Sequence, residues 1–308
     1  ALIALVKAHE LCGQPDQALV HMHDLMQHLS RRRQEQLDLL MAIEPAIAAA
    51  GREEYLDLHM WKYREARLRA AAAEREVISA RYDMLERLAI TAGLKEDPSG
   101  EHGYRVGRLS ALLAQSLGWS RDNCHLIEIA ARLHDIGKVG IPDRILLGSH
   151  ELKEAERHFM RSHTLMGAEL LAKSDVPQMK MAEDVARFHH EWWDGTGYPS
   201  SLSGGRIPLH ARVVALADVF DALTHGRPYA EAWTQERAFA EIDRLAGTQF
   251  DPQLTPQFIS LVRELSSKHY DLDAFLGRAA QESAFLVARR NLKVLMNEEA
   301  RISAGRAA

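Results

Sequence analysis

The residues best equipped for chemistry stand in one short run, Leu133-His134-Asp135-Ile136-Gly137-Lys138-Val139-Gly140-Ile141-Pro142. An imidazole, a carboxylate and an amine fall close together there, between apolar flanks that predict burial. Burying an ionised Asp without a partner costs on the order of several kcal/mol. A divalent cation removes that cost, because neutral imidazole and carboxylate are good ligands for one. A helix end, with Gly137 as its stop and His134 and Asp135 solvated in the last turn, would explain the pair taken alone. Further ligands elsewhere in the chain decide between the two.

Such ligands are present. His189 and His190 are adjacent. Neighbours on a helix diverge by about 100°, so this spacing predicts that they serve two ions, or one ion and a substrate. A long Gly-rich loop follows, from Glu191-Trp192-Trp193-Asp194-Gly195-Thr196-Gly197-Tyr198-Pro199 through Ser200 to Gly205. Loops of that length between helices are functional or disordered. Trp193 and Tyr198 argue against disorder and offer faces on which a purine can stack. The helix expected from Leu209 to Leu223 is apolar on nearly every side, which marks it as buried. Asp218 and Asp221 lie inside it and need partners. Arg212 or Arg227 could pair with Asp221, whereas Asp218 reads as a metal ligand beside the histidines.

Taken together these blocks resemble an HD-GYP domain, a branch of the HD phosphohydrolase superfamily. The matching residues are Gly100-Glu101-His102 with Arg105-Val106, the run His134 to Asp143, His163 with Gly167, and His189-His190-Glu191 through Asp194-Gly195 to Gly197-Tyr198-Pro199. They continue with Ile207-Pro208-Leu209, the run Ala217 to Leu223, Arg227-Pro228-Tyr229 and Phe250-Asp251-Pro252. The resemblance implies an all-α domain holding divalent ions, usually iron or manganese. It implies hydrolysis of cyclic di-GMP to the linear dinucleotide and on to GMP in some members. By motif, His102, His134, Asp135 and Asp218 would hold one ion, and Asp135, His163, His189 and His190 the other, with Asp135 bridging. Two ions so placed would activate water for in-line attack on phosphorus and neutralise the developing charge. Asp135 and Lys138 are the expected catalytic residues, Lys138 also contacting the scissile phosphodiester. Arg227 would hold a phosphate oxygen, Gly197, Tyr198 and Pro199 would shape the guanine pocket, and Asp221 is placed with these substrate contacts.

Two departures from the family pattern matter. Ala230 stands where the family often has Lys, which removes one phosphate contact. Pro98 stands where trinuclear members carry a carboxylate, so two ions are expected rather than three, Asp97 and Glu101 being the nearest substitutes.

The elements that must position these groups follow from the rest of the chain. Residues 1–50 read as helices with a weak likeness to one tetratricopeptide-type hairpin, and a plain helical hairpin fits equally. Residues 51–94 lack Pro and carry Leu56, Met60, Tyr63, Ala70, Val77, Met84 and Leu88 near a 3.5-residue repeat, broken by Arg67, Glu74 and Arg81. This predicts one long connector helix, a dimeric coiled coil or a packed linker. Residues 95–266 form the HD-GYP-like helical bundle, and residues 267–308 a C-terminal helical extension.

Composition narrows the classes. The chain has 308 residues, 46% hydrophobic and 26% charged, with a net charge of −5 and sixteen His. That charge argues against a nucleic-acid polymer as partner. Cys12 and Cys124 form no CxxC, which disfavours a thiolate site and fits a reducing, cytoplasmic compartment. No apolar run reaches the ~18 residues of a membrane span. A first residue Ala1 in mid-helix pattern predicts a piece of a longer protein. The partners expected are cyclic di-GMP, a second copy through the connector helix, and diguanylate cyclase domains. Two alternatives compete with the enzyme reading: a non-catalytic cyclic di-GMP receptor or interaction module, and a hydrolase of another cyclic dinucleotide.

Overall fold

The computed structural model describes residue 24 and residues 27–35, 37–38, 41, 53–93, 97, 100–148, 150–172, 177–225, 231–283, 286–288 and 290–291. The expected N-terminal hairpin falls largely outside the described residues, as do Arg227, Ala230 and Pro98. Among the described residues the protein is all-α, with a single isolated bridge between Ala246 and Phe250. No helix there is long and apolar enough to cross a membrane. The chain divides into two compact units, residues 1–87 and 88–308.

In the first unit the expected long helix is present as α1, Glu53–Gly93. Its buried positions within this unit, however, are Ala66, Ala73 and Val77. Of the expected seam Val77 is buried, Tyr63, Ala70 and Met84 are half-buried and Met60 is exposed. The stripe is rotated toward small residues because part of α1 lies against the helical residues 27–35, where Leu29 is buried. Arg32–Glu76 at 3.0 Å and Arg33–Glu74 at 3.1 Å fix that alignment. Both pairs are exposed, so each adds at most about 1 kcal/mol.

The second unit is built around α2 (His102–Ser116), α3 (Arg121–Arg132), α6 (His163–Leu171), α7 (Pro177–Phe188) and α8 (Leu209–Thr224), with short α4 (Asp143–Leu146) and α5 (Glu154–Arg161) between α3 and α6. α2 packs on α3 and α8, α3 on α7, and α7 on both α6 and α8. The packing faces follow the apolar spacing: Val106, Leu109 and Leu113 from α2 are buried, as are Ile127 and Ala130 from α3 and Val213, Val214 and Leu216 from α8. Burying side chains of this kind contributes roughly 1.5–3 kcal/mol each. Ser120 caps α3, its hydroxyl accepting the Asn123 N–H at 3.3 Å. The C-terminal elements are α9 (Gln235–Arg244), α10 (Leu254–Lys268), α11 (Leu272–Leu276) and α12 (Arg278–Glu282). α11 packs on α2, and Ile90, Tyr104, Ala280 and Leu286 form one buried cluster, so the extension folds against the bundle within this unit.

Gly137 explains the register of the central motif. It sits in a 3₁₀ turn, Ile136–Gly140, that packs on α6. A side chain there would collide with the backbone of His163 and Gly167. Only a residue without a Cβ lets the turn come this close, and the closeness brings Asp135 beside His163.

Candidate metal centre

Seven side chains from five places in the bundle converge. His102 opens α2, and His134 and Asp135 follow the end of α3. His163 opens α6, His189 and His190 follow the end of α7, and Asp218 lies in the middle of α8. Two groups result, each with ligand atoms within 4.8 Å of one another: His102, His134 and Asp218, and Asp135, His163, His189 and His190. In the first, Asp218 Oδ1 is 3.4 Å from His102 Nε2 and 3.7 Å from His134 Nε2. In the second, Asp135 Oδ1 is 3.3 Å from His163 Nε2 and 3.7 Å from His189 Nε2. The other oxygen of Asp135, Oδ2, is 3.0 Å from His134 Nε2, so this carboxylate touches both groups.

The adjacent pair departs from the helix-based expectation. α7 ends at Phe188, so His189 and His190 stand in a turn, where the angular divergence of helical neighbours does not apply. Their rings lie 4.0 Å apart and share one group.

The imidazoles are oriented from behind. His134 Nδ1 lies 2.6 Å from the Ala131 carbonyl, His163 Nδ1 2.7 Å from that of Met160, and His189 Nδ1 3.0 Å from that of Val185. A carbonyl can only accept, so each Nδ1 carries a proton and each Nε2 is the nitrogen turned inward, where its lone pair would meet an ion. Those inward atoms, His134 Nε2, His163 Nε2 and His189 Nε2, are buried without a hydrogen-bond partner, and so is Asp135 Oδ1. Four buried polar atoms left without hydrogen bonds beside one another would be costly in an ordinary core. They are the arrangement a divalent cation requires, and an all-N/O donor set suits iron or manganese without excluding zinc.

The electrostatics of the ion-free chain divide the two groups. Burial disfavours the charged form of His102, but its hydrogen bonds to Asp218 and Asp221 overcome it and hold this imidazole up at about 10. His134 is raised as well, burial being outweighed by Asp135. Against the same burial, the His102 hydrogen bond and the charge of His134 hold the Asp218 carboxyl far below its ordinary range. In the second group burial prevails: it lowers His163, lowers His189 strongly and pushes His190 down to about 3, so these three stand neutral and ready to ligate.

Lys138 does not face open solvent. Its Nζ is 2.8 Å from Asp135 Oδ2, at the edge of the second group. Tyr198 stacks on His190 with ring centroids 4.8 Å apart, and the Arg161 guanidinium lies 5.1 Å from the Tyr198 ring. Gly197 is needed here because a Cβ would strike the Trp192, Glu191 and His190 backbone. Trp193 is covered by Arg212 at 5.6 Å.

Asp221 requires a correction. Expected at the substrate, its carboxylate instead lies behind His102, with Oδ2 2.7 Å from Nδ1 of that ring. Among the described residues its guanidinium partner is not Arg212 but Arg105, whose Nε and Nη2 donate at 2.7 and 2.9 Å, and His225 Nδ1 lies 3.3 Å from its Oδ1. Arg212 pairs with Asp251 at 2.6 Å. The proposed substitutes for a third ligand are also engaged otherwise: Asp97 accepts the His102 N–H at 2.8 Å, and Glu101 lies 3.6 Å from Arg105.

Sequence reasoning named Arg105 and Glu191 only as matching motif residues and gave neither a structural partner. Glu191 is buried, and its two oxygens accept the N–H groups of Ser200 at 2.6 Å and Leu202 at 3.0 Å. It thereby fastens the far side of the Gly-rich loop directly after the histidine pair. A buried acid next to a loop was visible in the sequence, but its partners are backbone groups that no side-chain pattern reveals.

Comparison with known proteins is consistent with this geometry. The family model described as "HD domain" matches residues 83–254. A protein named cyclic di-GMP phosphodiesterase from Thermotoga maritima is 38% identical over 207 residues, covering 66% of this chain and 56% of that protein. The cyclic di-GMP phosphodiesterase response regulator RpfG of Xanthomonas campestris is 41% identical over 185 residues, 60% of this chain and 49% of that one. The 3'3'-cGAMP-specific phosphodiesterase 2 of Vibrio cholerae is 36% identical over 189 residues, 61% and 35% respectively. The chain thus spans about half the length of the first of these relatives, or less.

Proposed function

We propose that this chain, which belongs to the HD domain family, is a metal-dependent phosphodiesterase that opens cyclic di-GMP to the linear dinucleotide, with GMP as a further product. The observation that carries the reading is the convergence of seven ligands into two groups joined by Asp135. Relatives named cyclic di-GMP phosphodiesterases support the substrate.

In this reading His102, His134, Asp135 and Asp218 hold one ion and Asp135, His163, His189 and His190 the other, iron or manganese being the best matched to the donors. Bound ions of this kind supply positive charge against the phosphate and make water a stronger acid. The chain's own residues do the remainder. The backbone carbonyls behind His134, His163 and His189 fix which ring nitrogen faces the phosphodiester centre. Lys138, held at 2.8 Å by Asp135, points an ammonium at the same place and stabilises the charge that develops on a phosphate oxygen. Gly197, Tyr198 and Pro199 line the approach beside His190 and orient a guanine base. Arg227 completes the phosphate contacts, and the enzyme acts in the cytoplasm. The long helix α1 joins two copies, and diguanylate cyclase domains are its protein partners.

The test is hydrolysis of cyclic di-GMP with added manganese or iron(II), with His134→Ala and Asp135→Ala as controls. Turnover by the parent and none by either variant is expected. Tight binding without turnover by the metal-loaded protein would replace the enzyme with a receptor. The Vibrio cholerae relative named for 3'3'-cGAMP favours one second reading, hydrolysis of that dinucleotide. Preferential turnover of 3'3'-cGAMP in the same assay would select it.

A further inference from the structure

The first ligand group differs from the second in how its histidines are oriented. His134, His163 and His189 rely on backbone carbonyls, but His102 relies on a side chain, Asp221. This carboxylate is buried and comes from α8, the helix that also delivers Asp218. Each of its oxygens receives an Arg105 N–H, Oδ1 from Nε at 2.7 Å and Oδ2 from Nη2 at 2.9 Å. Oδ2 also faces His102 Nδ1 at 2.7 Å. Arg105 lies one turn beyond His102 on α2, so the pair ties α2 to α8 directly behind the ligand.

We infer that Asp221 is a positioning residue for one ion only, fixing His102 with its proton on Nδ1 and its lone pair on Nε2, and that Arg105 locks Asp221 in that role. This rests on the metal reading above and deepens it. A guanidinium cannot accept a hydrogen bond, so the Asp221 orientation is dictated by Arg105. Carboxylates placed behind ligating imidazoles raise their basicity, and losing one weakens metal binding by about 10- to 100-fold.

Asp221→Asn is more disruptive than its near-identical shape suggests. Both carboxylate oxygens accept Arg105 N–H groups, so an amide must turn its NH₂ toward a guanidinium donor in either orientation. Setting the NH₂ in place of Oδ1 would put it against two donors, Arg105 Nε–H and the His225 Nδ1–H, which lies 3.3 Å from Oδ1 and is turned to the Asp221 carbonyl at 3.0 Å. The oxygen therefore stays toward Arg105 Nε, and the NH₂ faces His102 Nδ1 and demands that this nitrogen be the acceptor. The proton then moves to Nε2, and His102 ceases to be a ligand. The second group has no contact with Asp221 among the described residues.

The experiment is a Mn(II) titration of metal-stripped parent and Asp221→Asn, read by equilibrium dialysis with total metal analysis. The parent is expected to bind two ions. The variant should keep one with parental affinity and bind the other about 10- to 100-fold more weakly. Parental affinity at both sites, or equal weakening of both, overturns the inference. A parent that binds no Mn(II) overturns the metal reading itself, a different failure. Should Asp221→Asn not fold, the zinc-loaded parent decides by ¹⁵N NMR. A hydrogen-bonded Nδ1–H on His102 is expected, and a proton on Nε2 refutes the assignment.

Discussion

Replacing Gly137 with alanine tests the geometry of the shared carboxylate most directly. The 3₁₀ turn presses so closely on α6 that a Cβ at 137 would lie 2.8 Å from the His163 carbonyl carbon and closer still to its oxygen. Both are backbone atoms, so no side chain can swing aside, and the turn must retreat by roughly 1 Å or more to reach ordinary contact. Asp135 is the residue before this turn, and its Oδ1 stands 3.3 Å from His163 Nε2. Bonds of ~2.1 Å to one ion at a tetrahedral angle leave their ligand atoms about 3.4 Å apart, close to the observed separation. Retreat by that amount opens the gap to about 4.3 Å, beyond the ~4.2 Å that two such bonds span even in a straight line. His163 and Asp135 then cannot grip the same ion. Gly137→Ala should therefore fold, as judged by circular dichroism, yet lose one of two ions and reduce turnover of cyclic di-GMP by about 100-fold or more. Two ions bound with parental affinity in a folded Gly137→Ala protein would refute the reasoning.

Two further outcomes follow from the site. Ions must displace protons from His102, held up at about 10, and from His134, whereas His163, His189 and His190 are already neutral. Affinity at the first group should rise with pH, about tenfold per pH unit for each proton displaced, while the second stays nearly flat between about pH 6.5 and 9. Mn(II) titrations across that range check this, and equal slopes at the two sites would contradict it. Glu191→Gln exchanges one of two acceptors on the Ser200 and Leu202 N–H groups for a donor. It should cost about 2–4 kcal/mol, lowering the thermal midpoint by roughly 4–16 °C and speeding hydrogen exchange at those two amides. Unchanged exchange at both would show that Glu191 does not hold the loop.

The candidate ligands stood out in the sequence because chemistry restricts their types. A histidine doublet, a His-Asp pair and an aspartate in an all-apolar helix have few explanations, and the structure brings all of them together. What the sequence concealed lies one step outward. The Arg105–Asp221 pair joins residues far apart in the chain, and Arg212, nearer to Asp221, was the natural but mistaken choice. The sharing of one group by His189 and His190, which the family resemblance implied and helix spacing alone disfavoured, depended on the end of α7 at Phe188, and helix ends are the least certain feature of a periodic pattern. The phase of α1 was misjudged for a related reason. Alanines at 66 and 73 carry little hydrophobic signal, yet a close-lying helix buries small residues first.

The carbonyl anchors behind His134, His163 and His189 carry a consequence for how such a centre can drift. Every amino acid owns a carbonyl, so exchanges at Ala131, Met160 or Val185 leave the ring orientation intact as long as the helices hold. Three of the five imidazoles are thus oriented by groups indifferent to point mutation, while the orientation of His102 hangs on one replaceable acid. If metal preference or strength is ever retuned without touching a ligand, position 221 is where a single codon change can do it.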